Sequence, residues 1–273
     1  MLQLRWDHQF QFAGYYAAKW QGFYEQAGLD VEIRSAFEPG GKFHNVTREV
    51  ATGRADFGTA GADILEAQDK GAPLVIVKSV FQQSPVALYS RVETRLQSPA
   101  DLVGLRVGTR PGGIAGVELQ AMLRAESIDP ARVPQLKIEG NLGIDDIANG
   151  LLDVASGFTI SAGWYARQRG LDLVAMRPQT YGVDFYGDAL FTHRRWVEQD
   201  PELVEKFAAA SLRGWEYALT HPTEIADRIS REFTRKIPIA DLAGFNNFQT
   251  KPVSQLILFP IVRLGNTNPS RWE

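Results

Sequence analysis

The chain contains no cysteine among its 273 residues. Disulfides, iron–sulfur clusters and thiol catalysis are therefore excluded. The four histidines, His8, His44, His193 and His221, include no pair at the spacing of metal ligands. The sequence consequently predicts no metal centre.

Long hydrophobic runs and an excess of positive charge are also missing. No apolar stretch approaches the roughly 20 residues that cross a bilayer, and the best candidate, LILFPIV at 256–262, contains proline. The formal net charge of -3 argues against a nucleic-acid partner. No signal peptide precedes the strand-like segment at 2–6. An exported protein would therefore have lost its signal before this sequence begins.

The residues that are present, 44% hydrophobic and 22% charged, are typical of a globular protein of one or two domains. Strand and helix signals alternate along the chain. The predicted strands cover 2–6, 31–34, 56–58, 74–80, 105–108, 136–139, 154–157, 171–176 and 190–192. The predicted helices cover 13–26, 43–51, 62–68, 114–126, 144–148, 163–168, 201–219, 222–232 and 239–248. This alternation predicts an α/β protein with mostly parallel sheets.

The alternating pattern consists of two similar series, which predict two lobes. Lobe one is expected over 1–85 plus 190–273, and lobe two over 86–189. Extended apolar stretches at 84–89 and 186–191 connect the two series and suit a pair of hinge strands. The helical tail is expected to pack back on lobe one.

Aromatic residues are concentrated where predicted strands end. The sequence WDHQFQFAGYY covers 6–16, and YGVDFYGD covers 181–188. Open α/β sheets hold ligands at strand ends, and aromatic rings with a few polar groups suit a small ring-containing ligand. The alternative for these rings is ordinary core packing. The predicted stacking residues are Trp6, Phe12, Phe81 and Tyr186.

Polar side chains in the same regions can orient such a ligand. Gly61 and Asp63 belong to a turn that follows a strand and opens a helix, where N–H groups can hold polar atoms. The alternative is plain turn chemistry, and Asp184 could likewise bond its own turn. An acid–base role for Asp184 and Asp188 would need an activated water, a metal or a nucleophile, and the sequence offers none. The predicted hydrogen-bonding side chains are Gln9, Gln11, Gln82 and Asp184.

The glycine-rich turns at 58–63 and 107–116 do not predict a cofactor. Neither has the spacing or the downstream acid of a dinucleotide fingerprint, and neither has a P-loop lysine. No cofactor is therefore expected.

Five motifs stand near the start of the chain: Trp6, AGYYAA at 13–18, GFY at 22–24, AGLDV at 27–31 and GRADFG at 53–58. Together they resemble the periplasmic substrate-binding proteins of ABC importers, in the branch for sulfonates, nitrate and thiamine-pyrimidine precursors. The resemblance covers nearly the whole chain. It implies a type II periplasmic-binding-protein fold, with two α/β lobes, a two-strand hinge and a ligand cleft that closes by hinge motion.

A second set of motifs comprises HQFQFAGYY at 8–16, FQQSP at 81–85, YGVDFYGD at 181–188, GWEYA at 214–218 and NPSRW at 268–272. This set resembles the extracytoplasmic sensor domains of bacterial histidine kinases and diguanylate cyclases. The resemblance implies signal transduction, with the receptor's own downstream domains as partners. The chain departs from the transport proteins for the pyrimidine precursor at 9–12, where they carry an Asn-rich stretch, and at Gly187, where they often carry an acid.

The resulting expectation is a periplasmic or extracytoplasmic sensor domain that binds a small heterocycle resembling a thiamine-pyrimidine precursor, without catalytic residues. Three alternatives stay open: the solute-binding component of an ABC importer with its permease as partner, an enzyme resembling thiamine-pyrimidine synthases that use a histidine and iron, and an interaction module with an empty cleft. The predicted ligand-binding residues are Trp6, His8, Gln9, Gln11, Phe12, Gly61, Asp63, Phe81, Gln82, Asn141, Thr159, Tyr181, Asp184 and Tyr186.

Overall fold

The computed structural model describes residues 1–37, 42–110, 113–137, 143–233 and 239–258. The chain divides into two compact units. The first unit comprises Met1–Gln82 and Tyr186–Glu273, and the second comprises Gln83–Phe185. Within the described residues, each unit is built around a five-stranded sheet.

The strands of the described residues are β1 (Leu2–Gln3), β2 (Ile33–Arg34), β3 (Phe57–Ala60), β4 (Leu74–Ser79), β5 (Val86–Arg91), β6 (Val107–Thr109), β7 (Gln135–Lys137), β8 (Val154–Phe158), β9 (Leu173–Met176) and β10 (Ala189–His193). The α-helices are α1 (Ala13–Trp20), α2 (Phe23–Gln26), α3 (Val46–Ala51), α4 (Asp63–Asp69), α5 (Ile114–Ala125), α6 (Ile144–Ala148), α7 (Ala162–Gln168), α8 (Arg194–Gln199), α9 (Pro201–Thr220), α10 (Pro222–Phe233) and α11 (Leu242–Leu258).

The two sheets share one topology. The first has the order β2-β1-β3-β10-β4, and the second has the order β7-β6-β8-β5-β9. In each sheet one strand, β10 or β5, runs antiparallel to both of its neighbours, whereas β1 and β6 pair in parallel on both sides. The prediction of mostly parallel α/β sheets is confirmed. The antiparallel strand of each sheet is the one that begins beside the connection between the units.

Backbone hydrogen bonds join the two chain segments that connect the units. The N–H of Gly187 donates to the carbonyl of Phe81 at 3.1 Å, and the N–H of Ser84 donates to the carbonyl of Phe185 at 2.9 Å. Beyond these bonds, β5 pairs with β8 and β9, and β10 pairs with β3 and β4. The two connecting segments are therefore hydrogen-bonded to each other at 81–84 and 185–187, and beyond that point each strand joins its own sheet.

The structure divides one predicted helix and extends another. The helix predicted over 13–26 is divided into α1 and α2, because Gly22 adopts a left-handed conformation with φ of 71° that interrupts it. The helix predicted over 239–248 is instead α11, which continues through Pro252. Three apolar side chains beyond this proline are buried. Their packing outweighs the roughly 3 kcal/mol that proline costs a helix interior.

Helices α1 and α9 approach each other closely through two glycines. A Cβ at Gly14 would stand 2.1 Å from Cγ of the buried Trp215. A Cβ at Gly214 would stand 2.1 Å from the carbonyl oxygen of Gly14 and 2.6 Å from the backbone nitrogen of Ala18. Since these separations are far below van der Waals contact, only glycine permits this packing. It fixes the start of α1, which follows directly on the predicted ligand-binding stretch at 6–12.

We expect Gly214→Ala to lower the free energy of unfolding by about 1–3 kcal/mol, because the added methyl group forces two backbones apart. Urea unfolding followed by circular dichroism measures the change. Gly116→Ala in α5 is the matched control, since a Cβ there meets only the end of the Gln135 side chain at 3.3 Å and alanine favours a helix. If both variants are equally stable, the glycine contact does not hold α1 in place.

Candidate functional site

Polar and aromatic residues gather at the carboxyl edge of the first sheet. The parallel strands β1, β3 and β4 end at this edge, and the antiparallel β10 begins there. Arg5 and Trp6 follow β1, Asp63 follows β3, Gln82 follows β4, and Asp188 precedes β10. This is the edge at which open α/β sheets bind ligands.

Asp188 is a buried carboxylate of this edge. Its Oδ1 accepts from Arg5 Nη1 at 3.1 Å, and its Oδ2 accepts from Gln11 Nε2 at 2.6 Å. Arg5 Nη2 also lies 3.6 Å from Asp63 Oδ1, and the three charged side chains are at most 10% exposed. Burial raises the pKa of Asp188, while the positive charge of Arg5 opposes that rise. One guanidinium thus stabilises two buried carboxylates.

Gln11 and Gln9 extend from Asp188 as a chain of two amides. Gln9 Nε2 donates to Gln11 Oε1 at 2.5 Å. Gln9 is 6% exposed and Gln11 is 2% exposed. The structure therefore brings together two predicted ligand-binding residues with a carboxylate to which the sequence assigned no such role.

Helix α11 holds the turn that carries these amides. Phe10–Phe12 form a 3-10 turn without a side-chain cap at its start, so its first N–H groups need partners elsewhere. Asn246 Oδ1 accepts from the Phe10 N–H at 2.8 Å, and Gln249 Oε1 accepts from the Gln11 N–H at 3.2 Å. Both α11 side chains are fully buried. The backbone of Gln11 is therefore held by α11, and its side chain is held by Asp188.

The end of β4 adds further polar atoms to this region. The Gln82 N–H donates to the carbonyl of Leu256 at 2.8 Å, and Gln82 Nε2 donates to the carbonyl of Ser79 at 3.2 Å. The Ser79 hydroxyl and Gln249 Nε2 are buried and have no hydrogen-bond partner in the part of the chain that the structure describes. Buried polar atoms of this kind are uncommon and indicate a place for water or a ligand.

The turn after β3 is closed by its own residues. The Gly61 N–H donates to Asp63 Oδ1 at 2.8 Å, and the Arg5 N–H donates to Thr59 Oγ1 at 3.2 Å. The Gly61 N–H is therefore engaged within the protein, whereas Asp63 joins the charged group around Arg5. A ligand contact at Gly61 stays a prediction.

The predicted stacking residues differ in exposure. Trp6 has an intermediate exposure and packs edge-on against Phe37, with ring centroids 5.1 Å apart. Phe12 and Phe81 are 0% exposed, and Tyr186 is 2% exposed. Trp6 is thus the one of these four rings with appreciable accessible surface. Stacking of a ligand on the other three stays a prediction.

His8 is enclosed by aromatic residues. Its ring stacks on Phe233 with centroids 3.9 Å apart, and its Nδ1 lies 2.5 Å from the hydroxyl of Tyr16. No group of three His, Asp or Glu residues placed to hold a metal occurs among the described residues. The ring of His8 therefore takes part in the packing between α1 and α10, and its role as a ligand contact stays a prediction.

The second sheet also has a polar carboxyl edge. The N–H of Thr159, after β8, donates to the carbonyl of Pro85 at 2.8 Å. Ser84, before β5, donates its hydroxyl to Oε1 of the buried Glu118 at 2.5 Å. Asn141 lies outside the described residues. Ser84 precedes the antiparallel strand of its sheet as Asp188 does in the first sheet, so both edges place a buried carboxylate beside that strand.

Tyr181 and Asp184 make local contacts in the second unit. The Tyr181 hydroxyl donates to the carbonyl of Gln97 at 3.2 Å. Asp184 is exposed, and its Oδ1 accepts from Gln179 Nε2 at 2.9 Å. These bonds agree with the structural alternative for Asp184, and a ligand contact there stays a prediction.

The sequence assigned no binding role to Arg5, Asp188, Asn246 or Gln249. Asp188 lies in the aromatic stretch at 181–188, and Arg5 stands just beyond β1, so strand-end position is the signal that marks both. No local pattern points to the two α11 residues, because 236 and 238 positions separate them from their partners in the turn.

The fold is that of the periplasmic binding proteins. The alkanesulfonate-binding protein SsuA from Xanthomonas axonopodis pv. citri, bound to MOPS, matches with a TM-score of 0.68 and 18% identity, over 91% of this chain and 83% of that one. The periplasmic aliphatic sulphonate binding protein SsuA from Escherichia coli matches with a TM-score of 0.66 and 15% identity, over 90% and 77%. At such identities the similarity shows the fold alone.

The chain belongs to the NMT1/THI5-like family, whose model matches residues 9–225. The riboflavin-binding protein RibY of Chloroflexus aurantiacus is 29% identical over 96% of this chain and 74% of its own length. The formylaminopyrimidine-binding protein of Halalkalibacterium halodurans is 28% identical over 77% and 63%. A 4-amino-5-hydroxymethyl-2-methylpyrimidine phosphate synthase of Legionella pneumophila is 26% identical over 74% and 64%. The chain thus spans less than two thirds of the latter two relatives.

Among the helices of the described ranges, none is both long and apolar enough to cross a membrane.

We expect Asn246→Ala to destabilise the protein by about 1–3 kcal/mol, because it leaves the buried Phe10 N–H without an acceptor. Asn247→Ala is the matched control, since the neighbouring side chain is exposed. Urea unfolding measures the stability, and hydrogen exchange of the backbone at 9–12 reports the turn. Equal stability and equal exchange in the two variants would show that α11 does not hold the turn.

Proposed function

We propose that this protein binds a small, flat nitrogen heterocycle at the carboxyl edge of its first sheet. The observation that carries the proposal is the buried polar group of Asp188, Gln11 and Gln9, in the same loop region as the partly exposed Trp6. Amide groups match the N–H and acceptor edges of such a ring, and an aromatic contact adds about 0.5–1.5 kcal/mol beyond area burial. Enclosure of the ligand between two lobes stays a prediction from the sequence.

The names of the relatives support a heterocycle. One is a riboflavin-binding protein and another a formylaminopyrimidine-binding protein, and both of those ligands contain a flat nitrogen ring. The chain shares the fold of sulfonate-binding proteins, but fold similarity does not fix a ligand. A ligand resembling a thiamine-pyrimidine precursor is therefore the proposal, with a flavin as the second ligand class to be tested.

We infer binding without catalysis. The similarity to the synthase of Legionella pneumophila makes an enzyme the competing class of function. His8, the histidine of the predicted site, is already occupied by Tyr16 and Phe233, and Asp188 is bound to Arg5 and Gln11. Neither group is in the state expected of a general base that waits for a substrate. Iron-dependent formation of a pyrimidine product by the purified protein would support the enzyme instead.

The ligand test uses thermal unfolding with riboflavin, formylaminopyrimidine and MOPS as separate probes. A ligand at about 100 times its Kd stabilises a protein by about 2.7 kcal/mol, so we expect the Tm to rise by several degrees with a heterocycle. Trp6→Ala should lose most of this rise. Trp196→Ala, at the amino end of α8 and thus at the opposite edge of the sheet, is the matched control with similar exposure. A rise with MOPS alone would overturn the proposal.

Two candidate roles remain for the bound ligand, as a signal for a membrane receptor or as the cargo of an importer. Both place the protein outside the cytoplasm. The motifs at 8–16, 81–85 and 181–188 favour the sensor domain of a membrane receptor, and the motif at 268–272 that also supports it lies outside the described residues. The small-molecule-binding relatives, and the fold shared with the ligand-binding component of an ABC-type import system from Staphylococcus aureus, favour the solute-binding component of an ABC importer. If the protein is a sensor, a change caused by ligand binding can be passed on through α11, because that helix accepts hydrogen bonds from the N–H groups of both Gln11 and Gln82.

We expect the gene to continue into a membrane helix and an output module if the sensor role is right. Addition of the probe that binds should then change the output of the full-length receptor, and Trp6→Ala should abolish that change. A gene that ends shortly after Glu273 beside permease genes, with uptake of the probe lost on its deletion, would establish the importer role in its place.

A further inference from the structure

We propose that Asp188 sets the donor–acceptor order of the amides of Gln11 and Gln9, so that Gln9 Oε1 is presented to the ligand as an acceptor and the ligand meets it with an N–H. This inference rests on the proposed function and narrows its ligand class. Asp188 acts as a positioning residue, and Gln9 determines specificity.

The carboxylate fixes the first amide. Asp188 is paired with Arg5 at 3.1 Å, and an ionised carboxylate accepts hydrogen bonds but cannot donate them. Gln11 therefore has to direct Nε2 towards Asp188 Oδ2, which lies 2.6 Å away. The flipped amide would bring two acceptor oxygens together at this distance. Gln11 Oε1 must consequently face away from Asp188.

The second amide follows from the first. Gln11 Oε1 can only accept, so Gln9 has to present Nε2 to it, at 2.5 Å. The oxygen and nitrogen of an amide have nearly the same shape, and the hydrogen-bond network alone decides their assignment. The carboxylate of Asp188 therefore fixes the orientation of both amides, that of Gln11 directly and that of Gln9 through Gln11. It leaves Gln9 Oε1 as the free end of the chain.

Gln9 Oε1 accepts no hydrogen bond from any described residue. Gln9 is 6% exposed, and its Oε1 is not among the described buried atoms that lack a partner, so this oxygen keeps a small accessible surface at which a ligand can meet it. A ligand N–H can donate a hydrogen bond to this oxygen, whereas a ligand oxygen is repelled by it. The free end of the amide chain is therefore selective for a donor.

The amide chain has little freedom to adapt to a different ligand. The Gln11 backbone N–H is held by Gln249 Oε1 at 3.2 Å. Neighbouring Phe10 is held by Asn246. A rigid site discriminates by leaving unmatched groups unpaired, which is the stronger form of selectivity.

The ligand class that follows is a ring with an N–H at its edge, such as the exocyclic amine of an aminopyrimidine or the ring N–H of a flavin. Sulfonate oxygens only accept hydrogen bonds, so they do not match Gln9 Oε1. The chain therefore differs in ligand chemistry from the alkanesulfonate-binding proteins whose fold it shares.

Matched probe pairs test the proposal by calorimetry. The pairs are riboflavin with 3-methylriboflavin, and 4-amino-5-hydroxymethyl-2-methylpyrimidine with its 4-dimethylamino analogue, so that each analogue lacks the N–H of its parent. The unsubstituted protein should bind the parent at least about tenfold more tightly than the analogue. Gln9→Met should weaken binding of the parent and leave binding of the analogue nearly unchanged. The ratio of the two dissociation constants, analogue over parent, should then fall close to one.

Asp188→Asn and Gln11→Met should lower the same ratio although Gln9 is intact. Gln11→Met leaves the Arg5–Asp188 ion pair in place, so it serves even if Asp188→Asn fails to fold. Gln68→Met, in α4, is the control for loss of a glutamine, and it should keep the ratio. A merely structural Asp188 would weaken parent and analogue equally.

Two results overturn the inference. In the first, the unsubstituted protein binds parent and analogue equally. In the second, the variants at 9, 11 and 188 lose both probes in equal proportion. In either case the proposed function stands, because a heterocycle is bound. If neither parent binds, the proposed function fails and this inference fails with it.

Discussion

The burial of the Asp188 carboxylate is the constraint on which the candidate site depends. A buried charge is tolerated only when it is paired and hydrogen-bonded, and here Arg5 and Gln11 supply those contacts. The backbone of the same residue is equally engaged, because its carbonyl accepts from the N–H groups of Val80 and Phe81. Asp188 therefore ties the start of β10 to the end of β4 and to the loop that follows β1. Loss of any partner would leave a charge or an amide unsatisfied in the interior.

The rest of the first unit keeps this group in position. The glycine contact between α1 and α9 fixes the chain just after Phe12, and α11 fixes the turn just before it through Asn246 and Gln249. Two scaffolds thus hold one short segment from both sides. A site built in this way is preorganised, which improves affinity because little ordering remains for the ligand to impose.

Much of the fold could be predicted from the sequence, because alternating strand and helix signals are local. The order of the elements, the helical tail and the gathering of residues at strand ends all follow from such patterns. The division of the helix at Gly22 was missed, since an isolated glycine inside a helical pattern does not reveal its φ. The continuation of α11 through Pro252 was missed because tertiary packing outweighs local propensity.

The site was predicted less completely, for physical reasons that differ between residues. Gln9 and Gln11 are predicted because they stand beside a strand end, and their contact with a ligand stays a prediction. Phe12 and Phe81 stand at similar positions, but they are fully buried, and the sequence does not distinguish a ring that faces a ligand from one that faces the core. The contact between Asn246 and Phe10 spans 236 positions. It depends on the packing of α11, which one sequence does not encode in any local pattern.

Hydrogen–deuterium exchange with and without a bound heterocycle tests most directly whether the carboxyl edge of the first sheet is the ligand side. Riboflavin and formylaminopyrimidine are the probes, and calorimetry on the same samples establishes which one is bound. We expect protection at 5–12 and 186–188 and no change at 70–73 and 193–200, which lie at the opposite edge. Protection confined to the opposite edge, or none at either edge with the probe bound, would contradict this site.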